Sequence, residues 1–280
     1  MYRRVAIVTD STACLPPQVA EDLRVTVVQT QIKIGERADD ESRIGIPELV
    51  HAMRSQLPYS TSPPDPGAFF WAYSDLAAAG VEAIISLHVS SRLSGTFEAA
   101  CQAAAQVRVP VHVVDTGTCG MSVGYAVMAA AAAADQGGDA RKVLETAQHR
   151  YRNSTELIYV DTLEYLRRGG RIGATAAMLG SALSMKPLLT VAEGQIAPLD
   201  KVMGADRAVR RMVDIAAGRT GRGQVDIAVE HFDAADRAQS LMAQLRKKIP
   251  SARRMLLTQV SSSIGAHVGP GALGVTVSPV

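Results

Sequence analysis

A short apolar run, Val5-Ala6-Ile7-Val8, stands between Arg3-Arg4 and the polar stretch Thr9-Asp10-Ser11-Thr12. A continuous apolar run closed by turn-forming residues predicts a strand buried on both faces. Pro16-Pro17 then open a helix, where a missing N–H costs nothing. Residues 24–34, RVTVVQTQIKI, alternate and are rich in β-branched side chains, which predicts one strand. IPELVHAMRSQL reads as a helix, YSTSPPDPG as a proline-rich loop and AFFWAYSDLAAAG as a second helix. Strand VEAIISLHVSS, helix GTFEAACQAAAQV, strand VPVHVVDTG and an alanine-rich helix follow, and a polar helix in QGGDARKVLETAQHRYRNS closes this half. Strand–helix alternation of this kind predicts a parallel sheet covered by helices on both faces.

From Thr155 the rhythm changes. RIGATAAMLGSAL predicts a helix, KPLLTVAEGQIAPLD a hairpin turning at Glu193-Gly194, and ADRAVRRMVDIAAG another helix. The remainder completes a mixed α/β unit that ends in the strand VTVSPV. A boundary near Ser154 divides the chain into an N-terminal α/β domain, residues 1–154, and a C-terminal mixed α/β domain, residues 155–280.

Composition narrows the class. Apolar residues make up 47% of the 280 positions but aromatics only 4%, so alanine and methionine carry much of the core. A net charge of +2, with the basic residues dispersed, gives no reason to expect nucleic acid. Cys14, Cys101 and Cys119 are odd in number and fall in no metal spacing, which predicts a reducing compartment without a disulfide framework. The N-terminal segment reads as a strand and not a signal peptide, and the alanine tract is shorter than the ~20 residues a membrane span needs. A cytoplasmic protein without stable membrane insertion is expected.

The polar chemistry gathers where strands end. Thr9 to Thr12, Ser90 to Thr96, Asp115 with Thr116 and Thr118, Ser60 to Ser62, and Ser261 to Ser263 ahead of His267 are all rich in hydroxyls. Each alone is an ordinary helix cap. Gathered at the C-terminal edge of a parallel sheet, such loops would surround a small anionic group with donors, and His267 could complete the ring. Two functions fit. In one, Ser94 is a nucleophile, His267 its base and Asp10 or Asp115 the orienting acid, although no G-x-S-x-G elbow is present. In the other, the same groups hold a carboxylate while an apolar gap between domains takes its tail.

Two further motifs lead nowhere. Gly269 to Gly274 satisfies G-x-G-x-x-G, but VTVSPV follows it where a dinucleotide site needs a helix, so no cofactor is expected. The six histidines never pair at i, i+4, and Glu230-His231-Phe232-Asp233 is the best local cluster; no bound metal is expected.

VAIVTDSTACLPP, TSPPDPGAF, LHVSSRLSGTFEAA, VVDT, LEYLRRGGRI, MKPLL and IGAHVGPGALGV occur in the order seen in the DegV family of bacterial fatty-acid-binding proteins. The chain resembles that family over nearly its whole length. The resemblance implies a two-domain DegV-like fold that buries one long-chain fatty acid with its carboxylate at the domain junction. It further implies a protein that is not itself an enzyme and presents the acid to a separate ATP-dependent fatty-acid kinase, which makes an acyl phosphate for phospholipid synthesis. The TSxP motif places Thr61 and Ser62 beside the carboxylate, LSGT adds Ser94, and the H-x-G-P-G loop adds His267. GRI supplies Arg171, near the carboxylate and the kinase face. The glycines after His267 are expected to let the backbone approach the head group.

Two departures from the family stand out. Glu98 occupies a position where an amide is common, and is expected to face solvent or a cation. Met203 stands where an arginine used in docking the kinase is usual, and Arg207 is the nearest substitute.

Overall fold

The computed structural model describes residues 3–178, 184–221 and 223–280. β1 (Val5–Asp10) is buried along its whole length, and Asp10 caps the short turn Ser11–Ala13 by accepting the Thr12 N–H. α1 (Pro17–Asp22) starts on its proline, and β2 (Val25–Val28) returns parallel to β1. Next come β3 (Gln31–Ile34), β4 (Arg37–Asp40), α2 (Ile46–Arg54), β5 (Tyr59–Ser62) and α3 (Pro66–Ala78). β6 (Ala83–His88), α4 (Thr96–Ala104), β7 (Val111–Asp115), α5 (Met121–Asp135) and α6 (Ala140–Asn153) complete this half. The parallel sheet runs β2-β1-β6-β7, as the alternation predicts.

Residues 24–34 form two strands and not one. The chain leaves the parallel sheet after Val28, because Thr30 is held elsewhere: its N–H donates to Ser11 Oγ at 3.1 Å and its hydroxyl to Glu41 Oε2 at 2.7 Å. β3 then pairs with β4 and β5 in a separate antiparallel sheet, with Ile32 opposite Thr61. The segment Tyr59–Ser62, expected in a loop, is therefore strand β5.

The second half contains β8 (Thr155–Tyr159), α7 (Glu164–Arg168), β9 (Met185–Ala192), β10 (Gln195–Met203) and α8 (Ala205–Gly218). It continues with β11 (Val225–His231), α9 (Ala235–Lys248), β12 (Arg254–Gln259), α10 (Ser262–Val268) and β13 (Leu273–Pro279). Its mixed sheet runs β10-β9-β8-β13-β11-β12, with only β11 and β12 parallel. The helix expected from RIGATAAMLGSAL is instead a 3-10 segment over Gly173–Met178, which opens on Gly173 at a φ of 44°. The rest of that segment, 179–183, lies outside the described residues.

α5 lies between the two large sheets, packing on β1 and on β13. Its alanines serve that position: Ala130, Ala131, Ala133 and Ala134 are buried against Val5, Ile7, Ile85 and Leu87. On its other side the Tyr125 hydroxyl donates to the carbonyl of Ile227 at 2.6 Å. At its N-terminus the Met121 N–H donates to Glu230 Oε1 at 3.0 Å, and Ser122 Oγ donates to Glu156 Oε2 at 2.8 Å. Thr276 Oγ1 lies 2.7 Å from Glu156 Oε2 and 2.9 Å from Glu230 Oε2. Burial raises both carboxyls, and for Glu156 the neighbouring Glu230 adds to the rise. A protonated Glu156 can therefore share this pocket with Glu230 without two buried negative charges in contact.

Candidate functional site

β1 and β6 are neighbours in the parallel sheet, with β2 beyond β1 and β7 beyond β6. The strand order reverses between β1 and β6, and ligands of open α/β sheets bind beyond the strand ends at such a point. A cavity of about 90 Å³ lies there. Thr12 follows β1, Thr30 follows β2, Leu93 and Ser94 follow β6, and Cys119 follows β7. β5 contributes Thr61 and Ser62, α10 contributes Ser263, Ile264, His267 and Val268, and Leu166, Arg171 and Ile196 close the wall.

Thr61, Ser62, Ser94, Arg171 and His267, singled out in the sequence, all line this one cavity. His267 sits in the last turn of α10, and its Nε2 lies 2.9 Å from Thr61 Oγ1. Its Nδ1 is buried without a partner and packs against Gly169, where an added Cβ would lie 2.0 Å from it. Burial, and secondarily the charge of Arg171, lowers the His267 pKa to about 4, so the ring is neutral at pH 7. The Arg171 guanidinium is aimed by two carbonyls, Nε donating to Leu93 at 3.0 Å and Nη1 to Gly169 at 2.6 Å. Ser94 Oγ is 2.8 Å from Thr96 Oγ1, which can donate to it and leave the serine proton free.

The nucleophilic arrangement does not assemble. Ser94 is paired with Thr96, and His267 with Thr61. Asp10 Oδ2 accepts from His88 Nδ1 at 2.8 Å, and Asp115 accepts from Ser91 and from the Gly117 N–H at 2.9 Å. Neither acid is available to orient His267. Gly269, at a φ of 83°, packs on the ring of Tyr165, where a Cβ would lie 2.1 Å from Cδ2. Glu98 is exposed, as expected. Met203 and Arg207 are exposed as well, and Asp233 pairs with Arg54 at 2.7 Å. Among the described residues no group of His, Cys, Asp and Glu has the arrangement of a metal site.

Two spaces adjoin the cavity. An outer cleft of about 400 Å³ shares Thr61, Arg171 and His267 with it and adds Gln56, Tyr59 and Arg168. A chamber of about 30 Å³ behind it shares Cys119, Ile158, Ile264 and Val268 and is walled by Phe232, Val260, Ala272 and Leu273. The three spaces share lining residues, polar ones toward the cleft and mostly apolar ones toward the chamber, whose wall also includes Glu156, Glu230 and His231. A larger cleft of about 780 Å³, between α5, α6 and the β12 edge, contains none of the residues singled out. Convergent chemistry and not volume marks the site.

Thr30, Leu93, Cys119 and Ile264 escaped selection in the sequence. Their positions after strands were a weak signal, and only the sheet order brings them together.

Fold and site together define an α/β protein with a partly open, mostly apolar pocket lined by hydroxyls, an imidazole and a guanidinium. The model of the DegV family, described as an uncharacterised protein of that family, matches residues 4–280, and the chain belongs to it. The DegV domain-containing protein SCO2569 of Streptomyces coelicolor is 46% identical over 279 residues, covering 99% of each chain. Among solved structures, a DegV family protein from Thermus thermophilus described for its fatty-acid binding has a TM-score of 0.91 at 29% identity, covering 99% of this chain and 100% of that one. DegV of Bacillus subtilis, a fatty-acid-binding protein, has a TM-score of 0.90 at 25% identity with full coverage of both chains. No helix among the described residues is long and apolar enough to cross a membrane.

Proposed function

We propose that this protein binds one long-chain fatty acid between two domains, residues 1–154 and 155–280. The carboxylate lies at Thr61, Ser62, Ser94, His267 and Arg171, and the tail runs inward past Ile158, Ile264 and Val268 toward Phe232. The observation that carries this reading is the convergence of those five polar side chains, from distant parts of the chain, on one apolar cavity. The fatty-acid-binding character of the similar DegV structures supports it.

The energetics agree. A carboxylate taken from water without partners would cost several kcal/mol, so it needs several donors. Each buried methylene of the tail returns about 0.8 kcal/mol, enough for tight binding after ordering costs are met. The cavity must widen to take a long tail: an apolar cavity of about 150 Å³ holds benzene, and this one measures about 90 Å³. Branched side chains in the wall, such as Leu93, Ile196 and Ile264, must move to admit it.

Native mass spectrometry of freshly purified protein, followed by extraction of bound lipid, tests the reading. A stoichiometric fatty acid supports it. An empty protein that also fails to take up added long-chain acids overturns it.

The protein then presents its acid to an ATP-dependent fatty-acid kinase, with the carboxylate reached through the outer cleft. Arg207, exposed on α8, takes part in docking in place of the arginine absent at Met203. Arg207→Ala should lower acyl-phosphate formation by such a kinase while fatty-acid binding is retained. Unchanged acyl-phosphate formation would remove Arg207 from the docking surface.

A further inference from the structure

The cavity carries a second set of hydroxyls, Thr12, Thr30 and Ser263, that the carboxylate does not need. Their protons can be followed. Thr12 Oγ1 donates to Asp10 Oδ1, which also takes the Thr12 N–H at 3.0 Å. Asp10 is fixed from behind. Its Oδ2 accepts from His88 Nδ1 at 2.8 Å, His88 Nε2 lies 2.7 Å from Ser86 Oγ, and that oxygen lies 2.8 Å from the Tyr73 hydroxyl. Asp10, His88, Ser86 and Tyr73 are fully buried.

Thr30 Oγ1 donates to Glu41 Oε2 at 2.7 Å, and the same carboxylate oxygen takes the Ser263 N–H at 3.0 Å. A hydroxyl has one proton and two lone pairs. In the 2.5 Å contact between Thr30 Oγ1 and Ser263 Oγ, the donor is therefore Ser263. In the 3.1 Å contact with Ser11 Oγ, the donor is Ser11, which fills the remaining lone pair of Thr30. Thr12 and Ser263 have thus given their protons to the protein. Each can meet the cavity only as an acceptor, and no donor among the described residues reaches either oxygen.

This is the reverse of the mouth, where Ser62 has no side-chain partner among the described residues and Thr61, Ser94 and Arg171 can donate. Acceptors in an apolar cavity repel a carboxylate and match a hydrogen-bond donor on the ligand. Resting on the fatty-acid reading above, we propose that the preferred ligand is a fatty acid bearing a hydroxyl on one of the first carbons after its carboxyl. That hydroxyl donates to Thr12 Oγ1 or Ser263 Oγ. Its place on the chain follows from size, because both sets of side chains line one cavity of about 90 Å³. An ammonium donor would instead bring a second cation near Arg171.

The test displaces a fluorescent fatty acid from the whole protein with hexadecanoic acid and with each enantiomer of 3-hydroxyhexadecanoic acid. One hydroxy acid is expected to bind about fivefold more tightly than the unsubstituted acid, the gain of one net hydrogen bond. In the Thr12→Val/Ser263→Ala double variant that preference should vanish while the unsubstituted acid still binds. Equal or weaker binding of both hydroxy acids to the native protein overturns the hydroxyl assignment and leaves the fatty-acid reading standing. A preference that persists in a folded double variant also overturns it. Failure of every acid to displace the probe, with no lipid extracted from the purified protein, overturns the fatty-acid reading itself.

Discussion

Thr61 Oγ1 and His267 Nε2 lie 2.9 Å apart although 206 positions separate them in the chain. The contact joins the last turns of α10 to β5, a strand of the small antiparallel sheet. A neutral ring whose Nε2–H donates to Thr61 leaves the threonine proton free for a carboxylate oxygen. In the proposed binding mode His267 acts on the ligand by orienting a hydroxyl as much as by touching it.

Removing single donors should weaken binding in proportion to the charge they meet. A hydrogen bond to a charged group contributes about 1.5–3 kcal/mol, so Thr61→Val and Ser94→Ala are each expected to reduce fatty-acid affinity about tenfold or more. Displacement titration of a fluorescent fatty acid measures this directly. Unchanged affinity in both variants would move the carboxylate elsewhere.

Gly169 is needed for space and not for its backbone, since its φ of −77° suits any residue. A methyl there would meet the His267 ring 2.0 Å from Nδ1. Gly169→Ala should therefore displace the imidazole and weaken fatty-acid binding about as much as His267→Ala does. If Gly169→Ala binds like the native protein, the ring is not confined as described.

Acid should destabilise the fold through His267. Its pKa falls from an ordinary value to about 4 on folding. Between about 6.5 and 4 the unfolded chain holds a proton that the folded chain refuses, so stability declines as pH drops through that window. The full effect is about 3 kcal/mol at most. Urea midpoints at pH 7.5 and 4.5 should differ less in His267→Gln than in the native protein, and an equal difference would contradict the neutral, buried ring.

Glu156 has the opposite sign. Burial and Glu230 push its carboxyl well above the usual range, so the folded chain keeps a proton that the unfolded chain releases, and stability declines as pH rises above about 4.3. Glu156→Gln preserves a neutral group of the same shape and should melt no lower than the native protein at pH 8. Glu156→Ala leaves Ser122 without its acceptor, while Thr276 keeps Glu230, and should cost about 1–3 kcal/mol. A marked loss of stability in Glu156→Gln would show that the site holds an ionised pair.

The elements that came through most clearly in the sequence are those whose signals are local. The apolar run of β1, the proline start of α1 and the β-branched end in β13 needed no distant partner. The division of residues 24–34 did need one. Nothing in QTQIKI distinguishes a continuing strand from one that turns away, because the turn is made by Ser11, Glu41 and Ser263 gripping Thr30. Thr61, Ser62, Ser94 and His267 were legible because they stand in or beside short hydroxyl-rich stretches, while Arg171 came only from the resemblance to the family. Gly169 was not, since its role is a space filled by a histidine almost a hundred positions away.

By itself the sequence determined the α/β class, the parallel first sheet, the mixed second unit and the polar residues that gather at the mouth. Periodicity and short motifs act within a few residues, and those features depend on little else. The tertiary structure alone decided which hydroxyls can donate. Thr12 and Ser263 are turned toward acceptors in the protein, whereas Thr61 and Ser94 face only an imidazole and another hydroxyl, because a hydroxyl has one proton and its direction is set by the strongest acceptor within reach. Those acceptors, Asp10 and Glu41, act on Thr12, on Thr30 and, through Thr30, on a serine 233 positions further on.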